Sequence, residues 1–248
     1  MEMATIIREQ KMRHIFTVLA ICLQLSGFSQ GLFEYFKLTA ADDGPEKFDR
    51  IAVDFTLDSW MGLPADVETN VASLGLNACW YKDIPLGKKS RVAIAFGLGV
   101  GSHNVHHNGE FVHETSGNSY TDLHPLSTTT EWKKNKFVAN YIDVPIELRF
   151  RNMNIKPRSE DRRTKSFRFY PGFKVGALLN NHVKWKDDEI KYKVYNIKNV
   201  LGYRYGVTLR VAFNKFAVFG FYSLSPLFES GKGVELYPIS IGVSWIRF

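Results

Sequence analysis

The sequence predicts an all-β protein: an eight-stranded antiparallel up-and-down transmembrane β-barrel with a filled, charged lumen. Three observations predict it: eight segments of alternating apolar and polar residues, a targeting segment before them, and a terminal aromatic residue, Phe248. A period of two gives a strand with two unlike faces, and membrane barrels expose only one of them to lipid. Phe248 lies one residue out of phase with the run before it.

The N-terminus has the layout of a secretory signal. Arg13 and His14 precede an apolar stretch at 15–25, and small residues follow at 26–30. This order of charged, apolar and small residues predicts a signal peptide over 1–29, cleaved after Ser29, with Met12 as an alternative start. We expect a periplasmic leader over 30–49 and the barrel domain over 50–248.

The predicted strands cover about 50–60, 72–82, 91–102, 136–150, 166–179, 199–213, 216–224 and 237–248. The third strand has large apolar residues on one face and Gly97, Gly99 and Gly101 on the other. Small inward residues fit a narrow lumen that is crowded by side chains of other strands. The same glycines fit a dinucleotide-binding loop only inside a βαβ unit, and no such unit is visible.

The charged residues of each strand share one face, which indicates the side of the strand that points into the lumen. A lysine or arginine facing lipid near the bilayer midplane costs about 2–4 kcal/mol, so the charged face must point inward. Antiparallel pairing then brings Asp143 near Lys174, and Glu147 near Arg168 or Tyr170. The alternative is a soluble sandwich with a solvated charged face. The predicted lumen charges are Asp54, Asp58, Asp143, Glu147, Arg149, Arg168, Lys174, Arg204 and Arg210.

Connection lengths predict which end faces outward. Membrane barrels have short periplasmic turns and longer outer loops, which places both termini in the periplasm. The outer loops are then 61–71, 103–135, 180–198 and 225–236, and the turns include 83–90 and Asn214-Lys215. Segment 151–165 is too long for this rule. Pro145 and Pro171 lie inside strands, where proline indicates a local distortion.

Composition limits the partners. The net charge is +7, but an exported protein is not expected to meet nucleic acid. We expect the basic loops to face outer-membrane lipid and lipopolysaccharide. After signal cleavage Cys79 is the only cysteine, which excludes an internal disulfide.

One loop contains most of the histidines. His103, His106, His107 and His113 lie within eleven residues, with His124 further on. Imidazole binds zinc, copper and nickel, so the loop 103–124 is the candidate metal site, although its spacing matches no defined site. Asp122, His124 and Ser127 are the candidate catalytic residues of the alternative, a barrel enzyme.

Several segments resemble the PorT-like outer-membrane β-barrel family of Bacteroidota. They are 141–151, 169–176, 204–208, 219–233 and 237–243. The similarity lies in the residue patterns of the strands and in short turn sequences. The resemblance implies a location in the outer membrane of a Gram-negative bacterium and a link to type IX secretion. We therefore expect a non-enzymatic structural or interaction component without a cofactor, whose partners are envelope or secretion-system proteins. The alternative is a barrel enzyme or a metal-binding surface protein that uses the histidine-rich loop.

Overall fold

The computed structural model describes residues 50–86, 91–115, 119–127, 132–151, 167–213 and 215–247, and all its regular elements there are strands. No helix within these ranges is long and apolar enough to cross a membrane. The strands are β1 (Ile51–Met61), β2 (Leu74–Pro85), β3 (Val92–His106), β4 (Gly109–Glu114), β5 (Tyr120–Pro125), β6 (Lys134–Arg151), β7 (Phe167–Lys186), β8 (Lys191–Tyr195), β9 (Tyr203–Phe213), β10 (Phe216–Ser223) and β11 (Tyr237–Arg247).

Eight of these strands close into one antiparallel barrel. Their order around the barrel is β6-β3-β2-β1-β11-β10-β9-β7, and pairing of β6 with β7 closes the ring. Strand β8 adds to the projecting end of β7, and β4 and β5 form a separate hairpin. The predicted all-β, eight-stranded barrel is confirmed.

The strand faces have the predicted polarity. Large apolar side chains point outward along all eight barrel strands; Phe55, Trp80 and Leu98 are each more than half exposed. The inward side chains between them are mostly small, polar or charged, and the large inward rings include Tyr81, Tyr170, Phe219 and Phe221. A soluble sandwich would bury the apolar face, so the structure excludes that alternative. We call the outward apolar surface the lipid belt.

Strands β3, β6 and β7 continue past their predicted ends on the long-loop side. Segments 103–135 and 180–198 were expected to be polar loops, but they contain these extensions together with β4, β5 and β8. The register of β6 and β7 shifts at Asn140/Tyr141, because Leu179 has no partner between Asn180 and Leu178. This bulge reverses which residues of β7 point inward.

The prolines distort the ladder locally, as predicted. The pairing of β3 with β6 is interrupted between Phe96↔Ile146 and Gly99↔Asp143, beside Pro145. The pairing of β6 with β7 is interrupted beside Pro171, and the register is the same on either side of both gaps. Each interruption fits the missing proline N–H.

The structure confirms one of the two predicted short turns and places the other later in the sequence. Phe213 pairs with Phe216, which confirms a two-residue connection at 214–215. Strand β2 runs to Pro85, so the predicted turn that began at Asp83 was placed too early. The predicted signal peptide, the leader, nearly all of segment 151–165 and Phe248 lie outside the described residues.

Candidate functional site

Arg210 of β9 makes the first cluster of lumen contacts, which joins three strands that are not neighbours in the barrel. Its guanidinium donates to Glu147 Oε1 of β6 at 2.9 Å and to Asp54 Oδ1 of β1 at 3.0 Å. Its Nε donates to Ser244 Oγ at 3.3 Å. Arg210 and Glu147 are each 1% exposed, so two charges of opposite sign offset each other where water is excluded.

A second cluster lies nearer the long-loop end. Asp143 accepts from Arg204 Nη2 at 2.7 Å, and its Oδ2 lies 3.4 Å from Lys174 Nζ. The second contact confirms the predicted pairing of Asp143 with Lys174. His103 Nδ1 lies 3.0 Å from Asp58 Oδ2 on the same inner surface.

A third cluster lies at the opposite end, and sequence reasoning missed part of it. Arg149 Nη1 donates to Asp83 Oδ1 at 2.6 Å, and Arg151 also pairs with Asp83. Asp83 was placed in a turn because Pro85 and Gly87 follow it closely. The alternation of the second strand, continued by one residue beyond its predicted end at 82, would have placed Asp83 on the inward face.

All nine predicted lumen charges are 5% exposed or less. Glu147 has Arg149, Arg210 and the Tyr81 hydroxyl as its hydrogen-bond partners. Pairing across the lumen could not be predicted, because local parity relates only neighbouring strands.

Aromatic rings fill the space between the charges. The Arg204 guanidinium lies 3.8 Å from the centre of the Tyr141 ring, and that of Arg149 lies 4.4 Å from the Tyr81 ring. A Cβ atom added at Gly99 would lie 2.3 Å from Cys79 Sγ, so the small inner face of β3 accommodates neighbouring side chains, as predicted. A lumen filled in this way leaves no open channel.

The long-loop end carries a packed apolar cluster, which sequence reasoning did not foresee. Its buried members come from strand ends and from three connections, and we call it the loop-end cap. Backbone hydrogen bonds join the connections: Thr121 N donates to Lys232 O at 2.9 Å, and Leu201 N to Leu227 O at 2.9 Å. The cap comprises Trp60, Val67, Val105, Leu123, Phe137, Ala139, Tyr141, Leu227, Phe228 and Leu236.

A cleft of about 330 Å³ opens on the cap between the β4–β5 hairpin and the β7–β8 extension. Trp185 and Tyr192 stack on one wall with ring centres 6.4 Å apart, and Phe111 lies on the hairpin. Glu110 and His124 add polar groups. Aromatic walls with a few polar groups are typical of ligand and peptide sites.

The four histidines of the candidate metal site are not brought together. His103 points into the lumen toward Asp58, His106 lies on the outer face opposite Lys136, and His113 contacts Thr121 Oγ1 at 3.2 Å. Within the described ranges, no group of three or more His, Cys, Asp or Glu residues is placed to hold a metal ion. Strand alternation explains the separation of His103 from His106, since neighbouring residues of opposite parity face opposite sides.

His107 is buried beside the loop-end cap. Its ring packs against Trp60 with centres 5.3 Å apart, and its Nδ1 accepts from Gly109 N at 3.2 Å. Burial lowers the pKa of His107 to about 4. The imidazole is therefore neutral at physiological pH and packs as an aromatic ring.

The candidate catalytic residues of the enzyme alternative are partly adjacent. His124 Nε2 lies 3.3 Å from Asp122 Oδ2, and Ser127 lines the same cleft as His124. The His124 and Asp122 side chains are 53% and 34% exposed. Solvent access weakens both the orientation and the electrostatic effect that such a pair gives in an enzyme.

The closed barrel, the outward apolar belt and the charged lumen define a transmembrane barrel. A family model described as "Outer membrane protein beta-barrel domain" matches residues 52–229. This chain belongs to that family and is an outer-membrane protein. Comparisons with curated proteins and with solved structures each gave no match.

Proposed function

We propose that this protein is a non-enzymatic interaction component of the outer membrane that binds other envelope proteins through its loop-end cap. The filled lumen carries this proposal: Arg210, Glu147 and Asp54 pair with one another inside the barrel, where a transport path would run. A barrel of eight strands has room for side chains but not for a channel. Function is therefore assigned to the surfaces at the strand ends.

The cap has the properties of a docking surface. Its connections are joined by backbone hydrogen bonds and a shared apolar cluster, so a partner would meet a preformed surface. The cleft offers Trp185, Tyr192 and Phe111, and aromatic residues dominate the energy of many interfaces. We place this end outside the cell and both termini in the periplasm, because the long connections lie here.

The PorT-like resemblance supports a more specific role in protein export by type IX secretion. The test is a gene deletion, with complementation, assayed for secreted proteins and surface motility. We expect both to be reduced, and a partner to be recovered by crosslinking from the complemented strain. Normal secretion with no crosslinked partner would contradict the proposal.

Variants of the cleft link the phenotype to the cap. Replacing Trp185 and Tyr192 with alanine should reduce partner crosslinking at least tenfold, while the barrel still reaches the outer membrane. Ile190→Ala is the matched control, because Ile190 is 57% exposed on the same β7–β8 unit but does not line the cleft. If His124→Asn or Ser127→Ala removes the phenotype while crosslinking persists, the enzyme alternative replaces this proposal.

A further inference from the structure

A dense group of lysines lies on the outer face of the β6–β7–β8 extension. The register places Lys136, Lys184 and Lys193 directly beside one another across the three strands. It places Lys134, Lys186 and Lys191 in the next row toward the strand tips. We call these six residues the lysine face.

The lysine face points away from the cap. Side chains of opposite parity on the same extension, including Val183, Trp185 and Tyr192, line the cleft on the inner side. Further down the outer face, Asn140 and Asn180 are joined by a 2.7 Å hydrogen bond, and the lipid belt begins at Ile142. The lysines of β6 and β7 thus stand above the lipid belt on strands that carry it, and those of β8 lie beside them.

Carboxylates do not neutralise this face. Within the described ranges none of the six lysines makes an ion pair with Asp or Glu. Lys133, next to the face, pairs with Asp188, and Asp187 accepts from the Ile190 and Glu189 amides at the turn. Like charges directly opposite on neighbouring strands destabilise a sheet, so a bound anion would stabilise this arrangement.

The height of the face identifies the anion. Ile142 comes six positions after Lys136, which is ~20 Å along a strand at ~3.3 Å per residue. A strand tilt of about 35–45° reduces this to roughly 15 Å above the lipid belt. That height lies in the saccharide headgroup layer of an outer-leaflet glycolipid, and a lysine side chain can extend several ångströms toward the hydrocarbon.

We propose that the lysine face binds the phosphorylated saccharide headgroup of lipopolysaccharide. The lysines supply the positive charge that divalent cations otherwise supply between such phosphates, and clusters of four to eight basic residues beside a membrane are typical of anionic-lipid sites. This inference rests on the outward orientation of the loop end proposed above. It is independent of the protein partner and of the cleft.

Binding is measured by fluorescence anisotropy of labelled rough lipopolysaccharide, with the full-length barrel in a non-ionic detergent and EDTA. The test variant replaces Lys136, Lys184 and Lys193 with glutamine, and we expect it to bind roughly tenfold to a hundredfold more weakly. The matched control replaces Lys198, Lys215 and Lys232, which lie elsewhere, and should bind like the parent protein. Equal affinities of the two variants would overturn the proposal.

Two further probes separate the sources of phosphate. Enzymatically dephosphorylated lipopolysaccharide should bind as weakly as the test variant does, and inorganic phosphate should compete only at concentrations far above that of the lipid. Competition by phosphate at equal concentration would overturn the assignment to a lipid. A surface-accessible tag at 189–190 tests orientation separately: a periplasmic tag refutes the outward placement of the cap, whereas the binding assay reports on the lysine face alone.

Discussion

Arg210 is the side chain whose loss should destabilise the barrel most. Replacing it with methionine keeps much of its length but removes the cation that serves both Glu147 and Asp54. Glu147 retains Arg149, while Asp54 retains only the Ser244 hydroxyl within the described ranges. Asp54 thus becomes a buried carboxylate with no directly paired cation within the described ranges.

Breaking a buried ion pair from one side costs about 3–5 kcal/mol, which is the destabilisation we expect for Arg210→Met. The assay is reversible urea unfolding of the barrel in lipid vesicles, followed by tryptophan fluorescence. Adding Asp54→Asn to Arg210→Met should recover part of the loss, because it removes the unpaired charge. A double-mutant cycle of Arg210→Met and Asp54→Asn should therefore give a coupling energy of about 1–3 kcal/mol.

Arg247→Met is the matched control, since Arg247 is exposed at the end of β11. It should change the free energy of unfolding by less than about 0.5 kcal/mol. A loss below about 1 kcal/mol for Arg210→Met would mean that water or a neighbouring cation compensates Asp54. The account of a dry, filled lumen would then be wrong.

Three other predictions concern packing and pH. Gly99→Val should prevent folding of the barrel, judged by heat-dependent gel mobility, because its Cβ would meet Cys79 Sγ at 2.3 Å; Gly220→Val should fold, since the same addition meets nothing within 4 Å. Acid should loosen the cap. His107 takes up a proton near pH 6.5 in the unfolded chain but only near its pKa of about 4 in the folded protein. The free energy of unfolding therefore has its full value above pH 6.5 and falls by about 3 kcal/mol between pH 6.5 and pH 4. Amide hydrogen exchange of β4 and β5 at pH 7 and pH 5 measures this, and His107→Gln should remove that pH dependence. Phe228→Ala should lower the free energy of local opening of the cap by about 3–5 kcal/mol and so speed amide exchange there. Exchange of the amides that pair β1 with β11 should not change.

The sequence predicts the barrel well because the lipid imposes a simple rule on each strand. Val144 and Ile146 face outward and Asp143 and Glu147 inward, and the alternation alone is enough to orient β6. The same rule places Lys174 beside Asp143, since both lie on the inner face of paired strands. It does not place Arg210 against Asp54, which are far apart in sequence and meet only when the barrel closes.

The structure of the long-loop end is predicted poorly because the polarity of the two strand faces reverses there. Above the lipid belt the outer face is polar, as at Lys184 and Lys136, while Val183 and Phe137 point inward. A strand with this polarity no longer resembles the membrane part of the same strand. The bulge at Leu179 also changes the parity of β7, so its predicted end fell at that residue.

The orientation of the strand faces is the central claim, and spin labels on β6 test it most directly. Single cysteines at Val144 and at Asp143, each in a Cys79→Ala background, are labelled with nitroxide and reconstituted in lipid vesicles. A label at Val144, which is 48% exposed, should be relaxed strongly by oxygen and weakly by a water-soluble nickel complex. A label at Asp143 should be immobile and shielded from both reagents. Strong relaxation of the Val144 label by the nickel complex would place the apolar face in water and contradict the account.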